Sequence, residues 1–239
     1  MKKEYVLLGI LSAAFVAAGI WISQTLNEYR AAGQEYEELK EYVREVPEEE
    51  TPSDTGKEEE TGEESGEGEF AVDFEALKEI NPDIVAWLKI PGVLDYPVVQ
   101  GEDNSYYLSH TFRGQYNIAG SIFLDSRNKA DFSDSRSIIY GHNMKDGSMF
   151  HVLRKFQDWE FYKENREIWL YLPDGSVRVY EIVECEEVEA AGDTYELGTG
   201  KKDAKELILS TCSAKADRRV VVRGKEEVKG SQQLSKQYE

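Results

Sequence analysis

The chain has 239 residues, of which 40% are hydrophobic, and a formal net charge of −19. That length suits one compact domain with additional segments, and the apolar fraction is sufficient for a core of ordinary size. The stretch Pro47–Glu69 carries eleven acidic residues and one lysine, so it accounts for −10 of the charge. No basic stripe is left that could neutralise phosphates, which argues against a nucleic-acid partner.

The N-terminus predicts a membrane anchor. Residues 1–4 form a short basic start, and Tyr5–Ser23 is an uncharged, mostly apolar run close to the roughly 20 residues that span a bilayer. Lys2 and Lys3 should remain cytoplasmic, so the rest of the chain should lie outside the cell. The alternative is a cleaved signal peptide, because small residues within Ala13–Gly19 could imitate a cleavage site. The apolar run continues past them, which favours an uncleaved, single-pass anchor.

Two segments separate this anchor from the folded part. Residues 24–46 read as a polar helix with a loose apolar stripe, which we interpret as a solvated stalk. Residues 47–69 are rich in Glu, Gly, Ser and Thr and cannot bury enough apolar surface to fold, so they predict a disordered acidic linker. The folded domain is expected over 70–225, followed by a polar tail over 226–239.

The folded domain has an all-β pattern with short helices. A helix is predicted over Asp73–Ile80, and a second helical segment is expected in Asp146–Phe156. A hairpin turn is predicted at Pro173–Ser176. Short β-rich runs occupy much of the remainder: Ala86–Ile90, "YPVVQG", "GSIFLD", "SIIYGH", "EIWLYL", "VRVYEIVECEEVE", "ELILST" and "RVVVRG". Seven or eight such strands favour a closed or nearly closed β-barrel.

Cys212 lies where the run "LILST" ends, a short loop before Arg218 and Arg219. A cysteine attacks carbonyls as the thiolate, and nearby cations favour that form. If the two flanking runs are adjacent antiparallel strands, an arginine returns beside Cys212, where it could stabilise an oxyanion. Alternation alone does not choose between Arg218 and Arg219, because they point to opposite faces.

A structural role for Cys212 is the alternative. The only other cysteine, Cys185, lies in the middle of "EIVECEEVE", and two cysteines outside the cell invite a disulfide. The strand-end position and the cationic neighbours of Cys212 favour a free, reactive thiol instead.

Three histidines are candidates for the acid and base. His110 lies in a polar loop and His151 lies early in a predicted helix, whereas His142 ends the run "SIIYGH" much as Cys212 ends its own strand. Two reactive side chains at strand ends can meet in one groove. A cysteine–histidine pair by itself also fits a cysteine peptidase.

The motifs together resemble the sortase family. Leu209-Ser210-Thr211-Cys212 followed by Arg219 is similar to the sortase signature, and "DYPVVQGEDNSYYL", "GSIFLD" and "IIYGHNMKDGSMF" resemble the class B sortases. The resemblance covers about Phe70 to Lys225. It implies a sortase-type barrel behind a membrane helix, with Cys212 as nucleophile, His142 as general acid and Arg219, not Arg218, at the oxyanion.

The resemblance also implies a substrate pocket. Asn104, Leu108, Tyr140 and Ser210 match pocket positions of class B enzymes, although each could instead serve local packing or turn formation. One departure is plain: class B members carry a long helical insertion before the cysteine strand, and here only "AAGDTYELGTGKKDAK" precedes Glu206. The implied sorting motif therefore stays open between an Asn-Pro-Gln-Thr-Asn type and a Leu-Pro-X-Thr-Gly type.

The implied activity is transpeptidation without a metal or cofactor. Its partners would be secreted proteins with a C-terminal sorting signal, cleaved after Thr, and the amine of a cell-wall precursor. A pilus-polymerising sortase is one alternative, although the Asp-Pro-aromatic lid motif of such enzymes is not found before Phe70. A non-enzymatic, membrane-tethered binding barrel is another.

Overall fold

The computed structural model describes residues 2–46, 69–198, 205–212 and 217–227. An N-terminal helix α1 (Lys2–Leu39) and a short antiparallel pair, β1 (Val43–Val46) with β2 (Glu69–Val72), precede the barrel. Helix α2 (Phe74–Ile80) follows directly, and α3 (Trp159–Glu164) and a 3-10 helix (Phe150–Gln157) lie further along the chain. Asp73 caps α2 by accepting a hydrogen bond from the Ala76 amide at 3.0 Å, so the predicted helix is confirmed.

The described strands β3 to β10 close into an eight-stranded barrel in the order β10-β8-β7-β3-β4-β5-β6-β9. They are β3 (Ile84–Ile90), β4 (Leu94–Val99), β5 (Ile122–Leu124), β6 (Arg136–Tyr140), β7 (Glu167–Tyr171), β8 (Val177–Glu189), β9 (Glu206–Cys212) and β10 (Arg218–Glu226). The pairs β4–β5 and β6–β9 are parallel, and the others are antiparallel. This architecture confirms the predicted fold class.

Strand alternation divides the apolar residues of β9 and β10 between two faces. Leu207, Leu209 and Val222 point into the barrel and belong to the main core. Ile208 and Val221 point outward and form a second, smaller buried cluster with Ile138 of β6. An outer barrel face that buries apolar side chains must be covered, and Tyr195 and Leu197, in the described segment after β8, pack against it.

The turn between β7 and β8 is the predicted hairpin. The Leu172 amide donates to the Ser176 carbonyl at 2.9 Å, and Asp174 accepts from the Ser176 amide and hydroxyl. Gly175 has φ +83, a conformation that glycine adopts without a steric penalty.

The expectation of a solvated stalk over 24–46 is wrong. Helix α1 continues through this region to Leu39, and Ala32, Tyr36 and Leu39 are buried against the barrel domain. The Tyr36 hydroxyl donates to the Gly120 carbonyl at 2.7 Å. Three apolar side chains on one helical face remove more apolar surface from water than a solvated helix does, and that gain decides the packing.

The other predicted segments are only partly visible. Most of the acidic linker over 47–69 and of the tail over 226–239 lies outside the described residues, although Glu69 begins β2 and Glu226 ends β10. Within the described residues, one helix is apolar and long enough to cross a membrane. This stretch of α1 has a mean hydropathy of 1.8 over 18 residues, none of them buried.

Candidate active site

The strand register brings His142 and Cys212 to the same edge of the barrel. Strands β6 and β9 are parallel, with Tyr140 beside Ser210, and the Gly141 amide donates to the Ser210 carbonyl at 3.1 Å. His142 and Cys212 each lie two residues beyond this pair. Because parallel strands end at the same edge of a sheet, both residues follow strand ends at that edge, and the meeting of their side chains remains a prediction.

Arg219 reaches the same place from the other side of β9. Strands β9 and β10 are antiparallel, and Arg219 lies directly opposite Cys212. Directly opposed residues share a face of a sheet and have Cβ atoms about 5 Å apart. The Cys212 side chain itself lies outside the described residues, and its strand position is on the same face as that of Arg219.

Arg218 points the other way. Its guanidinium donates to the Glu187 carbonyl at 2.6 Å, and its Nε lies 3.7 Å from a Glu187 carboxylate oxygen. Arg219 donates from Nη1 to the Arg218 carbonyl at 3.0 Å, a contact that fixes one arm of its guanidinium. The register thus agrees with the choice of Arg219, whose catalytic role remains a prediction.

His142 is held by the loop that leads to β5. Its Nε2 lies 2.7 Å from the Leu108 carbonyl oxygen, and its own carbonyl accepts from the Phe150 amide at 2.9 Å. A carbonyl can only accept, so Nε2 carries a proton in this contact. Gly141 allows the close approach of neighbouring side chains, since a Cβ there would lie 2.6 Å from Ile122 and 2.7 Å from Phe150.

Tyrosine and serine side chains contact one another on the outer barrel face next to the strand position of Cys212, and they are the candidates for the floor of a substrate groove. The Tyr195 hydroxyl and Ser210 Oγ are 2.8 Å apart, and the rings of Tyr140 and Tyr195 are stacked with centroids 6.2 Å apart. The predicted pocket residues Tyr140 and Ser210 therefore meet next to the candidate nucleophile. Whether they contact a substrate remains a prediction.

A buried carboxylate supports this floor. Asp125 is fully buried and accepts from Arg127 at 2.7 and 2.8 Å and from the Tyr140 hydroxyl at 2.9 Å. Burial alone would raise the pKa of Asp125, but the hydrogen bonds from Arg127 and Tyr140 outweigh it and lower the pKa to about 2. Burial, together with the Asp125 charge, raises the pKa of Tyr140, so its hydroxyl stays a donor.

Residues 193–196, in the described segment after β8, are fixed over the outer face by another arginine, Arg136. Buried Arg136 donates to the carbonyls of Asp193, Thr194 and Glu196, and it forms an ion pair with Glu206 at 2.8 Å. In the described part of this segment, Asp193–Tyr195 forms one 3-10 turn. Residues 199–204 lie outside the described part of the chain.

The remaining predicted pocket residues, Leu108 and Asn104, lie in the chain between β4 and β5. Leu108 is 45% exposed and contacts His142 through its carbonyl. Asn104 uses its side-chain oxygen to accept from the Ser126 amide at 2.7 Å, which joins two loops. This contact stabilises a loop, which is the alternative role that the sequence left open for Asn104.

The other candidate residues make their contacts with other parts of the chain. Cys185 is a free cysteine, so it does not form the disulfide considered above. Burial, with smaller contributions from Glu186 and Glu184, raises the pKa of its thiol to about 12. His110 bonds to the Tyr106 carbonyl, and His151 bonds to the Asn143 side chain.

Sequence reasoning missed the residues that support the groove: Asp125, Arg127, Arg136 and Tyr195. One signal was available, because Asp125 directly ends the apolar run "GSIFL" and has an arginine two residues later. Arg136 opens the run "SIIY", and nothing local in the sequence indicates that it binds carbonyls about sixty residues away.

Comparison with known proteins agrees with this geometry. The family model of the sortase domain matches residues 88–227, which is more than half of the chain. Sortase B of Listeria monocytogenes is 50% identical over 95 residues, a stretch that spans only 39% of this chain and 39% of that protein. The crystal structure of Clostridium perfringens sortase B is 31% identical with a TM-score of 0.59, covering 65% of this chain and all of that one.

A third relative is a Streptococcus pyogenes class B sortase described as involved in pilus biogenesis. It is 30% identical with a TM-score of 0.60, and the match covers 65% of this chain and 98% of that one. The closed eight-stranded barrel and the family match define a sortase-type domain, and the chain belongs to the sortase family. Within that family it groups with the class B members, which confirms the resemblance seen in the sequence.

Proposed function

We propose that this chain is a membrane-anchored cysteine transpeptidase that joins secreted proteins to a cell-wall precursor. The observation that carries the proposal is the register, which puts Arg219 opposite Cys212 and His142 at the same strand edge. Membership of the sortase family supports the reaction class. The apolar part of α1 supports an outward-facing catalytic domain with a cytoplasmic N-terminus.

In the first half of the reaction, the Cys212 thiolate attacks the threonine carbonyl of a C-terminal sorting signal. Arg219 stabilises the negative charge that develops on the carbonyl oxygen. His142 protonates the leaving amine, and the thioester acyl-enzyme remains. Because Nε2 of His142 is engaged by the Leu108 carbonyl, proton exchange with the reactants is assigned to Nδ1.

In the second half, an amine attacks the thioester, transfers its proton to His142 and releases the Cys212 thiolate. Solved class B structures include a Staphylococcus aureus sortase B–substrate complex and a sortase B complexed with triglycine, which supports a peptide substrate and an amine acceptor here. Asn104, Leu108, Tyr140 and Ser210 would line the site of the sorting signal. The segment around Tyr195 would take the place of the helical wall of other class B enzymes.

The test is acyl-enzyme formation by the full chain in detergent. The enzyme is mixed with sorting peptides of the Asn-Pro-Gln-Thr-Asn and Leu-Pro-X-Thr-Gly types, and intact mass is measured before and after addition of triglycine. We expect a thioester adduct with one motif type, its transfer to triglycine, and no adduct with Cys212→Ala. No adduct with either type, or an adduct that persists in Cys212→Ala, would contradict the proposal.

A pilus-polymerising activity is the second candidate, favoured by the match to the S. pyogenes class B sortase involved in pilus biogenesis. The two activities differ in the acceptor amine. Offering the preformed acyl-enzyme a lysine-bearing pilin-like peptide and triglycine in competition separates them. Transfer mainly to lysine would favour polymerisation, and transfer mainly to the glycine amine would favour attachment to the cell wall.

A further inference from the structure

The loop between β4 and β5 contains a small hairpin that lies along α1. We define it as residues 109–117. The Asn117 amide donates to the Ser109 carbonyl at 2.9 Å, the Thr111 amide donates to the Gln115 carbonyl at 2.9 Å, and His110 bridges to Tyr116. The base of this 109–117 hairpin is therefore the Ser109–Asn117 pair, and its tip is near Arg113.

Hydrogen bonds at its base and near its tip fix the hairpin along the helix. Asn117 donates from its side-chain amide to the Glu28 carbonyl at 2.9 Å, and the Arg113 amide donates to the Glu35 carboxylate at 2.8 Å. Glu35 follows Glu28 by about two helical turns, which corresponds to about 10 Å along the axis. The base of the hairpin thus faces the apolar end of α1, and the tip points away from it.

The base lies where the uncharged part of α1 ends. Tyr5–Asn27 contains no charged residue, and Glu28 is the first charge after it. At about 1.5 Å per residue this run is roughly 35 Å long, compared with a hydrocarbon core of about 30 Å and a headgroup layer of several ångströms on each side. If α1 crosses the membrane, Glu28 and the hairpin base bonded to it lie in the outer headgroup layer.

The residues next to the base have the character of an interfacial surface. Tyr116 is 73% exposed and Ile118 is 37% exposed, and Leu108, beside Ser109, is also exposed. Tyrosine is enriched at membrane–water interfaces because its ring is apolar and its hydroxyl is polar. The stretch 105–119 contains no Asp or Glu, in a chain that has 47 of them, so it does not repel an anionic membrane.

We propose that Tyr116 and Ile118 rest on the outer surface of the membrane that α1 crosses. This inference depends on the membrane anchorage included in the proposed function. It has a consequence for the active site, because the Leu108 carbonyl binds His142. The reacting groups are then held at the membrane surface, within reach of substrates that are tethered to the same bilayer.

The test uses nitroxide labels on the full chain in nanodiscs of phosphatidylcholine and phosphatidylglycerol. In a background that carries Cys212→Ala and Cys185→Ala, a single cysteine is introduced as Ile118→Cys, Trp21→Cys or Ser176→Cys and then labelled. Trp21 lies within the apolar part of α1, and Ser176 lies in the exposed β7–β8 turn. Collision of each label with oxygen and with a water-soluble nickel chelate reports its depth.

We expect the labels at positions 21 and 118 to favour oxygen and the label at position 176 to favour the nickel chelate. An apolar environment at position 21 with an aqueous one at position 118 would overturn the membrane-contact proposal and leave the anchor intact. Aqueous environments at both positions would overturn the anchor and the contact together.

A second measurement separates a lipid contact from a contact with the substrate. The double variant Tyr116→Ser with Ile118→Ser, in vesicles, should cleave a soluble sorting peptide as the unaltered chain does. It should cleave a lipid-anchored sorting peptide roughly tenfold more slowly, because the hold on the membrane surface is lost. Equal losses with both peptides would show that the two side chains bind the substrate and would overturn the proposal.

Discussion

Arg219 and Cys212 occupy opposed positions on β10 and β9, and Arg218 lies on the other face of β10. The two adjacent arginines therefore provide a matched pair. Arg219→Ala should lower kcat by on the order of 10²–10³ with a smaller change in KM, because the lost contact stabilises the transition state. Arg219→Lys should restore little, since one ammonium does not reproduce the guanidinium fork.

The control for this prediction is Arg218→Ala, which should stay within a few-fold of the unaltered chain. Steady-state cleavage of one fluorogenic sorting peptide, with circular dichroism to confirm folding, measures all three variants. A large loss of kcat in Arg218→Ala, with a nearly normal kcat in Arg219→Ala, would contradict both the strand register and the assignment of the active site.

The two cysteines should differ sharply in reactivity. Cys185 is half-buried, donates to the Leu153 carbonyl and has a raised pKa, so little thiolate exists at neutral pH. Cys212 is expected to react with a methanethiosulfonate reagent in the folded protein, and Cys185 only after unfolding. Peptide mapping of the labelled protein identifies which cysteine has reacted. A Cys185–Cys212 disulfide in material purified without oxidant would contradict the proposed role of Cys212 as the nucleophile.

Asp125 makes the stability of the protein depend on pH. Its pKa is lowered to about 2 in the folded state and returns to its ordinary value of 3.8 on unfolding. The unfolded state thus binds the proton more tightly, so Asp125 contributes about 2 kcal/mol above pH 4, and this contribution is lost as the pH falls towards 2. Denaturant unfolding across this pH range should show a smaller fall in the free energy of unfolding for Asp125→Asn than for the unaltered chain. An identical pH dependence in the two proteins would contradict the lowered pKa of Asp125.

At the scale of elements, Arg136 makes several of the contacts that hold residues 193–196, after β8, on the barrel. Arg136 is buried and binds three carbonyls of that segment as well as Glu206. Arg136→Met should lower the free energy of unfolding by about 3 kcal/mol, because it leaves buried acceptors without their donor.

A matched control is Arg113→Met, since Arg113 pairs with Glu38 on the surface at 3.2 Å. That substitution should cost less than about 1 kcal/mol. Urea unfolding compares the two variants. Equal losses would show that Arg136 does not hold the segment.

The elements could be predicted where the local sequence pattern specifies them. The runs around Leu207–Thr211 and Val220–Val222 alternate between core and outer face, so their strands could be predicted, and the turn residues at 173–176 marked the hairpin. The packing of α1 could not be predicted, because Ala32, a small residue without a strong signal, is buried in that contact as fully as Tyr36. The hydrogen bonds between Arg136 and the segment after β8 could not be predicted either, because they join parts of the chain that are distant in sequence.

At the scale of the whole molecule, the pairing of β1 with β2 constrains the two ends of the acidic segment. Val46 lies directly opposite Glu69, so the two ends of residues 47–68 are held together by paired strands. Replacing 47–68 by Asn-Gly, a two-residue hairpin turn, should therefore leave the register and kcat/KM for a sorting peptide unchanged. Peptide cleavage and thermal unfolding test this, and a large loss in kcat/KM would show that the acidic segment guides substrate or regulates the site.

The β1–β2 pair also affects whether the two fragments stay together after a protease cuts this protein. A cut anywhere in 47–68 would sever the covalent path from α1 to the catalytic domain. The domain would nevertheless stay in place, because four paired strand positions, the buried side chains of Ala32, Tyr36 and Leu39, and the Tyr36 hydrogen bond connect the two fragments without the peptide chain. If α1 anchors the protein as proposed, its release from the membrane would then require a cut on the N-terminal side of that contact, within α1 itself.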